Sequence, residues 1–176
     1  MASSQRAACV QIALQISQGK PDEAIKAATD YLDVFQTDHL VWEQLAQLHV
    51  DSGHFEQAQF CLEEGLLHNP GNIVGMLQLA DLLYAQGGLK LQAARGYYAK
   101  VVEMSAGDNL RSLYGVLACE AAIQQALKAR SKPKHGEGAL SANAELAYAC
   151  QRQLQALQSK MAPELQSATD VALQAL

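Results

Sequence analysis

Apolar residues in this chain recur at helical spacing, and glycine and proline interrupt them at regular intervals. The clearest stretch runs from Leu40 to Pro70. Trp42, Leu45 and Ala46 fall on one face of a first helix, Gly53 marks a reversal, Ala58 and Leu62 share a face of a second helix, and Pro70 stops it. Downstream, Met76, Leu79, Ala80 and Leu83 predict another helix, and Ala94, Tyr98 and Val101 predict its partner. Residues 109–129 read as a further helix with Leu113, Val116, Leu117, Ala121 and Ile123 inward. Near the end, Leu146, Cys150, Leu154, Leu157 and Met161 form one stripe; after a break at Ala162-Pro163, Leu165, Ala168, Ala172 and Leu176 continue an apolar face.

The pattern repeats. A step of 34 residues carries Gly19 onto Gly53 and Gly87, Ala24 onto Ala58, Leu45 and Ala46 onto Leu79 and Ala80, Leu48 onto Leu82, and Asp38 onto Asn72. So many matches in one phase resemble the tetratricopeptide repeat, a helix–turn–helix unit of this length. The expected fold is all-α, a right-handed superhelical tetratricopeptide-repeat solenoid. Its repeats would occupy residues 1–127 (about 5–38, 39–72 and 73–108, with a partial repeat at 109–127), followed by a loop at 128–138 and capping helices at 139–176. The chain begins almost directly with a repeat, so further repeats are expected upstream. Gly87-Gly88-Leu89-Lys90-Leu91 predicts a turn about two residues longer than the others.

Each matched residue has a physical role. Small Ala46 and Ala58 let two helices approach closely. Gly53 sits where the first helix must reverse, and glycine adopts the left-handed C′ conformation without a Cβ penalty. Pro21 falls in a first helical turn, where its missing N–H costs nothing. Asn69-Pro70-Gly71-Asn72 reads as a turn, with Asn72 capping the next helix. Trp42 is expected in the core, so that Trp42→Ala would cost about 3–5 kcal/mol.

Net charge narrows the partners. At −5 it argues against a nucleic acid held through phosphates. No apolar run reaches the roughly 18 residues a membrane span needs, and the polar start with glutamines through its apolar stretch is unlike a secretory signal. The four cysteines, Cys9, Cys61, Cys119 and Cys150, are widely spaced within predicted helices and read as free thiols of a reducing compartment. The basic stretch from Lys128 to Gly138, with Arg130, Lys132 and Lys134, reads as a solvated connection; contact with acidic lipid headgroups is the sharper alternative.

Chemistry is harder to find. His39, His49, His54 and His68 cluster in the second repeat, yet their spacing places no two on one face as a zinc helix does. His49 stands where the repeat usually carries an aromatic and reads as a packed core residue. Asp51, Glu63 and Glu64 read as solvated or groove-lining charges, and Gly87-Gly88 lacks the context of a phosphate loop. No catalytic residue, metal site or cofactor is assigned. An enzyme or metal protein built on the histidines is the rival from another class.

The first helix of each repeat is expected to line a concave groove. That places Arg6, Cys9, Ala13 and Ile16 on it, then Leu40, Glu43, Gln47 and Val50, then Val74, Leu77, Asp81 and Tyr84. The last eight are the assigned partner-binding residues, with apolar anchors beside hydrogen-bonding groups. Changing Leu77 and Tyr84 together to charged residues should weaken partner capture and leave helicity intact. The set lacks the Lys, Asn and Arg combination with which some tetratricopeptide domains clamp a chaperone's terminal carboxylate, so a basic client tail suits it better.

A narrower resemblance rests on three stretches: Phe60-Cys61-Leu62-Glu63-Glu64 ahead of Asn69-Pro70, the segment from Tyr84 to Leu89 (YAQGGL), and Leu113-Tyr114-Gly115. Across roughly Ala24 to Ala122 the chain resembles the family of subunit 2 of the endoplasmic reticulum membrane protein complex. Members carry additional helices ahead of the region matched here. The resemblance implies a non-catalytic scaffold, peripheral on the cytosolic face of the endoplasmic reticulum. It would grip cytosolic segments of the complex's membrane-embedded subunits and support membrane protein insertion, meeting the membrane through partners rather than directly. Another tetratricopeptide adaptor, a chaperone or trafficking cofactor, is the alternative.

Overall fold

The structure, a computed structural model, describes residues 2–130 and 141–158, with side chains at 10–127 and 145–157. Among these residues every regular element is an α-helix: α1 Ala2–Ser17, α2 Pro21–Leu32, α3 His39–Asp51, α4 Phe55–His68, α5 Ile73–Gln86, α6 Lys90–Met104, α7 Leu110–Arg130 and α8 Ser141–Gln158. The side chains of Arg6 and Cys9, the basic loop, and the stretch from Met161 to Leu176 lie outside the described residues. The chain divides into two compact units, Met1–Leu79 and Ala80–Leu176.

In the first unit the repeat is visible atom by atom. The Gly53 N–H donates to the Val50 carbonyl at 2.9 Å and the His54 N–H to that of His49 at 2.8 Å. Gly19 and Lys20 make the same pair of bonds to Ile16 and Gln15, at 3.0 and 3.1 Å. This double closure of a helix end needs a left-handed residue, and Gly19 and Gly53 have φ of +69° and +76°. Pro21 opens α2 at its first position. Asn72 caps α5, its Oδ1 accepting the N–H groups of Val74 and Gly75 at 3.1 Å each. Burial repeats too: Ala24, Ala28 and Ala58 are wholly enclosed, with Leu45 and Ala46 nearly so. α1 packs on α2, and α3 packs on both α2 and α4.

The second unit departs from the period. Ala94, Tyr98 and Val101 are buried, and Ala94 lies 36 residues beyond Ala58, so the two extra residues are present. The loop does not hold them: α5 ends at Gln86 and α6 begins at Lys90, three residues apart, the same gap as between α3 and α4. α5 is one residue longer than α3, 14 against 13. Ala94 is then the fifth residue of α6 where Ala58 is the fourth of α4. The expected longer turn is thus replaced by longer helices, with Gly87 and Gly88 both left-handed at the junction.

α7 packs on α6 and on α8. Its inward face is rotated from the sequence reading: Ser112, Leu113, Val116, Cys119 and Glu120 are buried, while Leu117, Ala121 and Ile123 are half-buried. The polar pair is satisfied. Glu120 accepts from Arg95 at 2.9 Å and from Gln124 at 3.3 Å, and the Ser112 hydroxyl donates to the Asn109 carbonyl at 2.8 Å. Gly115 permits the close α6–α7 contact, because a Cβ there would lie 2.6 Å from the Tyr98 ring. Cys150 and Leu154 seat α8.

Candidate functional site

The eight assigned residues fall into three physical classes. Leu40 and Val74 are each 60% exposed and Tyr84 is 39% exposed, large apolar surface with no cover among the described residues. Val50 is half-buried, whereas Leu77 is buried at 7% exposure and serves packing. The polar members are engaged. Glu43 accepts from Asn72 Nδ2, tying α3 to the cap of α5, and Gln47 donates to Asp51 Oδ1 at 2.8 Å. Asp81 accepts from the Tyr98 hydroxyl and pairs with Arg111. Of the first-helix candidates on α1 whose side chains are described, Ala13 and Ile16 are exposed.

Asp81 and Tyr84 belong to a cleft of about 430 Å³ within the second unit, completed by Tyr98, Arg111, Tyr114, Gly115 and Ala118. Burial, followed by the bond to Asp81, pushes the Tyr98 hydroxyl well above the ordinary phenol range, so it stays a donor. Burial likewise raises the Cys119 thiol to about 11, opposed by Arg95. Sequence reasoning missed Arg111 and Tyr114, although a signal existed. Asn109 accepts from the Ser112 N–H at 3.1 Å, as Asn72 does for α5. Placing Asn109 on Asn72 carries Val74 onto Arg111, Leu77 onto Tyr114 and Asp81 onto Ala118.

A larger cleft, about 830 Å³, lies within the first unit and was not anticipated. It opens between α2 and α4 with α3 beneath, on residues the sequence had assigned to the core. Leu32, Leu45 and Cys61 form its buried floor. Trp42 and Phe60 meet edge to face along it, ring centroids 6.1 Å apart. Trp42 is half-buried, not enclosed, and its indole N–H donates to the Gln36 carbonyl at 2.7 Å. Asp33, Glu56 and Glu64 reach the same cleft, and no lysine or arginine lines it among the described residues.

His49 is half-buried in the cleft wall and so is not the packed core residue expected. Its Nδ1 is buried with no hydrogen-bond partner among the described residues, and its ring lies 5.9 Å from that of His54. Burial, and then His54, hold its pKa below the ordinary imidazole range. Among the described residues no group of three His, Cys, Asp or Glu side chains is placed to hold a metal ion. Cys61, Cys119 and Cys150 are free and buried, and burial raises the Cys61 thiol to about 11 and the Cys150 thiol above its usual value.

Comparison with known proteins shows what the repeats are similar to. Residues 4–88 match the family model of the EMC2 TPR-like repeat domain. The chain resembles EMC2 across its repeats. ER membrane protein complex subunit 2-A of Xenopus laevis is 35% identical over 125 residues, 70% of this chain and 42% of that protein. The match therefore spans less than half the length of this EMC2 relative. Among solved structures, the Sgt2 TPR domain from Aspergillus fumigatus superposes with a TM-score of 0.59 at 15% identity, covering 79% of this chain and 93% of that one. The first TPR of Spaghetti (RPAP3), bound to an HSP90 peptide, gives 0.57 at 20% identity, covering 66% and 93%. These two likenesses establish the tetratricopeptide type of helix pairing that the EMC2 match implies.

Proposed function

We propose that this chain is a non-catalytic scaffold of the ER membrane protein complex, peripheral on its cytosolic face, where it supports membrane protein insertion. The observation that carries this reading is the EMC2 repeat match over residues 4–88. Among the described residues no helix is long and apolar enough to cross a membrane, which suits attachment through partners. The first-helix faces would do the holding: Leu40 and Val74 as apolar anchors in one unit, Tyr84 and Tyr114 in the other. Leu77, being buried, would support those faces from beneath. Arg111 is engaged by Asp81, which disfavours a carboxylate clamp of the kind that suits an acidic peptide such as the HSP90 segment held by Spaghetti.

The test is to purify the tagged protein from gently solubilised membranes and identify what accompanies it by mass spectrometry. Multi-spanning endoplasmic reticulum subunits in near-equal amounts are expected. Recovery of only soluble chaperones or vesicle factors would overturn the assignment in favour of another adaptor.

A further inference from the structure

The cleft of the first unit combines features that select one kind of ligand. Its floor is apolar and buried, its wall carries the Trp42–Phe60 pair, and its edge carries Asp33 from the end of α2 with Glu56 and Glu64 from α4. None of the three carboxylates is in an ion pair among the described residues. Phe60 is 55% exposed, an aromatic left half in water beside charges of one sign. His49 adds a buried ring nitrogen with no hydrogen-bond partner among the described residues.

We propose that this cleft is a docking site for an arginine-bearing segment of a partner protein, with an aliphatic side chain next to the arginine seated on the Leu32–Leu45 floor. A guanidinium suits the site on three counts. Its plane stacks on aromatic faces, its fork of donors matches carboxylates in pairs, and it gives up hydration more readily than an ammonium. A cation alone would gain little from carboxylates in water. Over an aromatic wall and an apolar floor the same contacts strengthen, because less solvent screens them. A volume of about 830 Å³ lies in the range of specific ligand pockets, enough for a few side chains rather than a whole helix. The site uses Trp42, Leu45 and His49 of α3, whereas Leu40, Glu43, Gln47 and Val50 are the α3 residues assigned to the first-helix face, so the two surfaces can be tested separately.

Trp42 is the sole tryptophan of the chain, so its emission reports on this cleft directly. The probe is a capped alanine-based peptide with leucine and arginine one helical turn apart, titrated into the purified protein. Saturable change in Trp42 emission is expected. Affinity should weaken about tenfold or more when the peptide's arginine becomes glutamine, when Asp33→Asn and Glu64→Gln are combined in the protein, or with Phe60→Ala; circular dichroism would check that each variant is folded. Emission that does not respond would overturn the proposal. So would equal binding of the glutamine peptide, which would reveal an apolar pocket indifferent to charge, or undiminished binding by the carboxylate variant. The readout needs only the isolated protein, so it stands or falls independently of co-purification from membranes.

Discussion

The two clefts take their walls from opposite members of the helix pairs, α2 and α4 with α3 in the first unit and α5 and α7 with α6 in the second, and treat their polar groups in opposite ways. In the second unit Asp81 is committed, receiving the Tyr98 hydroxyl and pairing with Arg111. In the first, Asp33, Glu56 and Glu64 stand at the cleft edge without ion pairs among the described residues. A committed carboxylate contributes to stability because it satisfies a buried donor; an uncommitted one contributes little to folding and is available to a ligand. The difference separates a cleft that is chiefly part of the framework from one that is chiefly surface.

The sharpest way to break the comparison is at Trp42. Its truncation to alanine removes an edge-to-face ring contact and the bond to Gln36, and should cost about 2–3 kcal/mol in urea denaturation. That is below the value for an enclosed tryptophan, since the ring is half-buried in an open cleft. Next is Asp81→Ala, which leaves the buried Tyr98 hydroxyl without its acceptor and should cost about 1–2 kcal/mol. Glu56→Ala, its counterpart in the first unit, should stay within about 0.5 kcal/mol. Equal costs would erase the distinction between the clefts.

How far the sequence reached follows the same division. Helix type, the 34-residue step, the left-handed glycines and the Asn72 cap were legible, because each rests on local backbone chemistry that a short stretch determines. Leu77 and Trp42 were misplaced because periodicity identifies a helical face and not what covers it: Leu77 is covered, while Trp42 has a cleft beside it. The rotation of α7 was hidden for a related reason. Buried Ser112 and Glu120 look like surface residues until Asn109 and Arg95 are seen beside them.

Smaller effects sharpen the picture. Gly53→Ala meets no neighbour within 4 Å, yet φ is +76°; the cost should be about 1 kcal/mol from backbone strain alone, measured as a shift in urea midpoint. His49 provides a pH signature. Because burial and His54 lower its folded pKa, the unfolded chain binds this proton more readily. The contribution to stability is complete above roughly pH 6.5 and declines as pH falls from there through the lower folded value. His49→Gln should therefore flatten the stability profile between neutral and mildly acid pH, read by denaturation at several pH values.

The most direct test of the scaffold account compares the wild-type chain with the Leu40→Asp/Tyr84→Asp double variant in recovering membrane-embedded subunits from solubilised membranes. Both substitutions alter exposed side chains, so helicity and melting should be preserved. The account predicts that recovery falls on the order of tenfold, as loss of apolar anchors does at protein interfaces. Undiminished recovery by a folded double variant would contradict it.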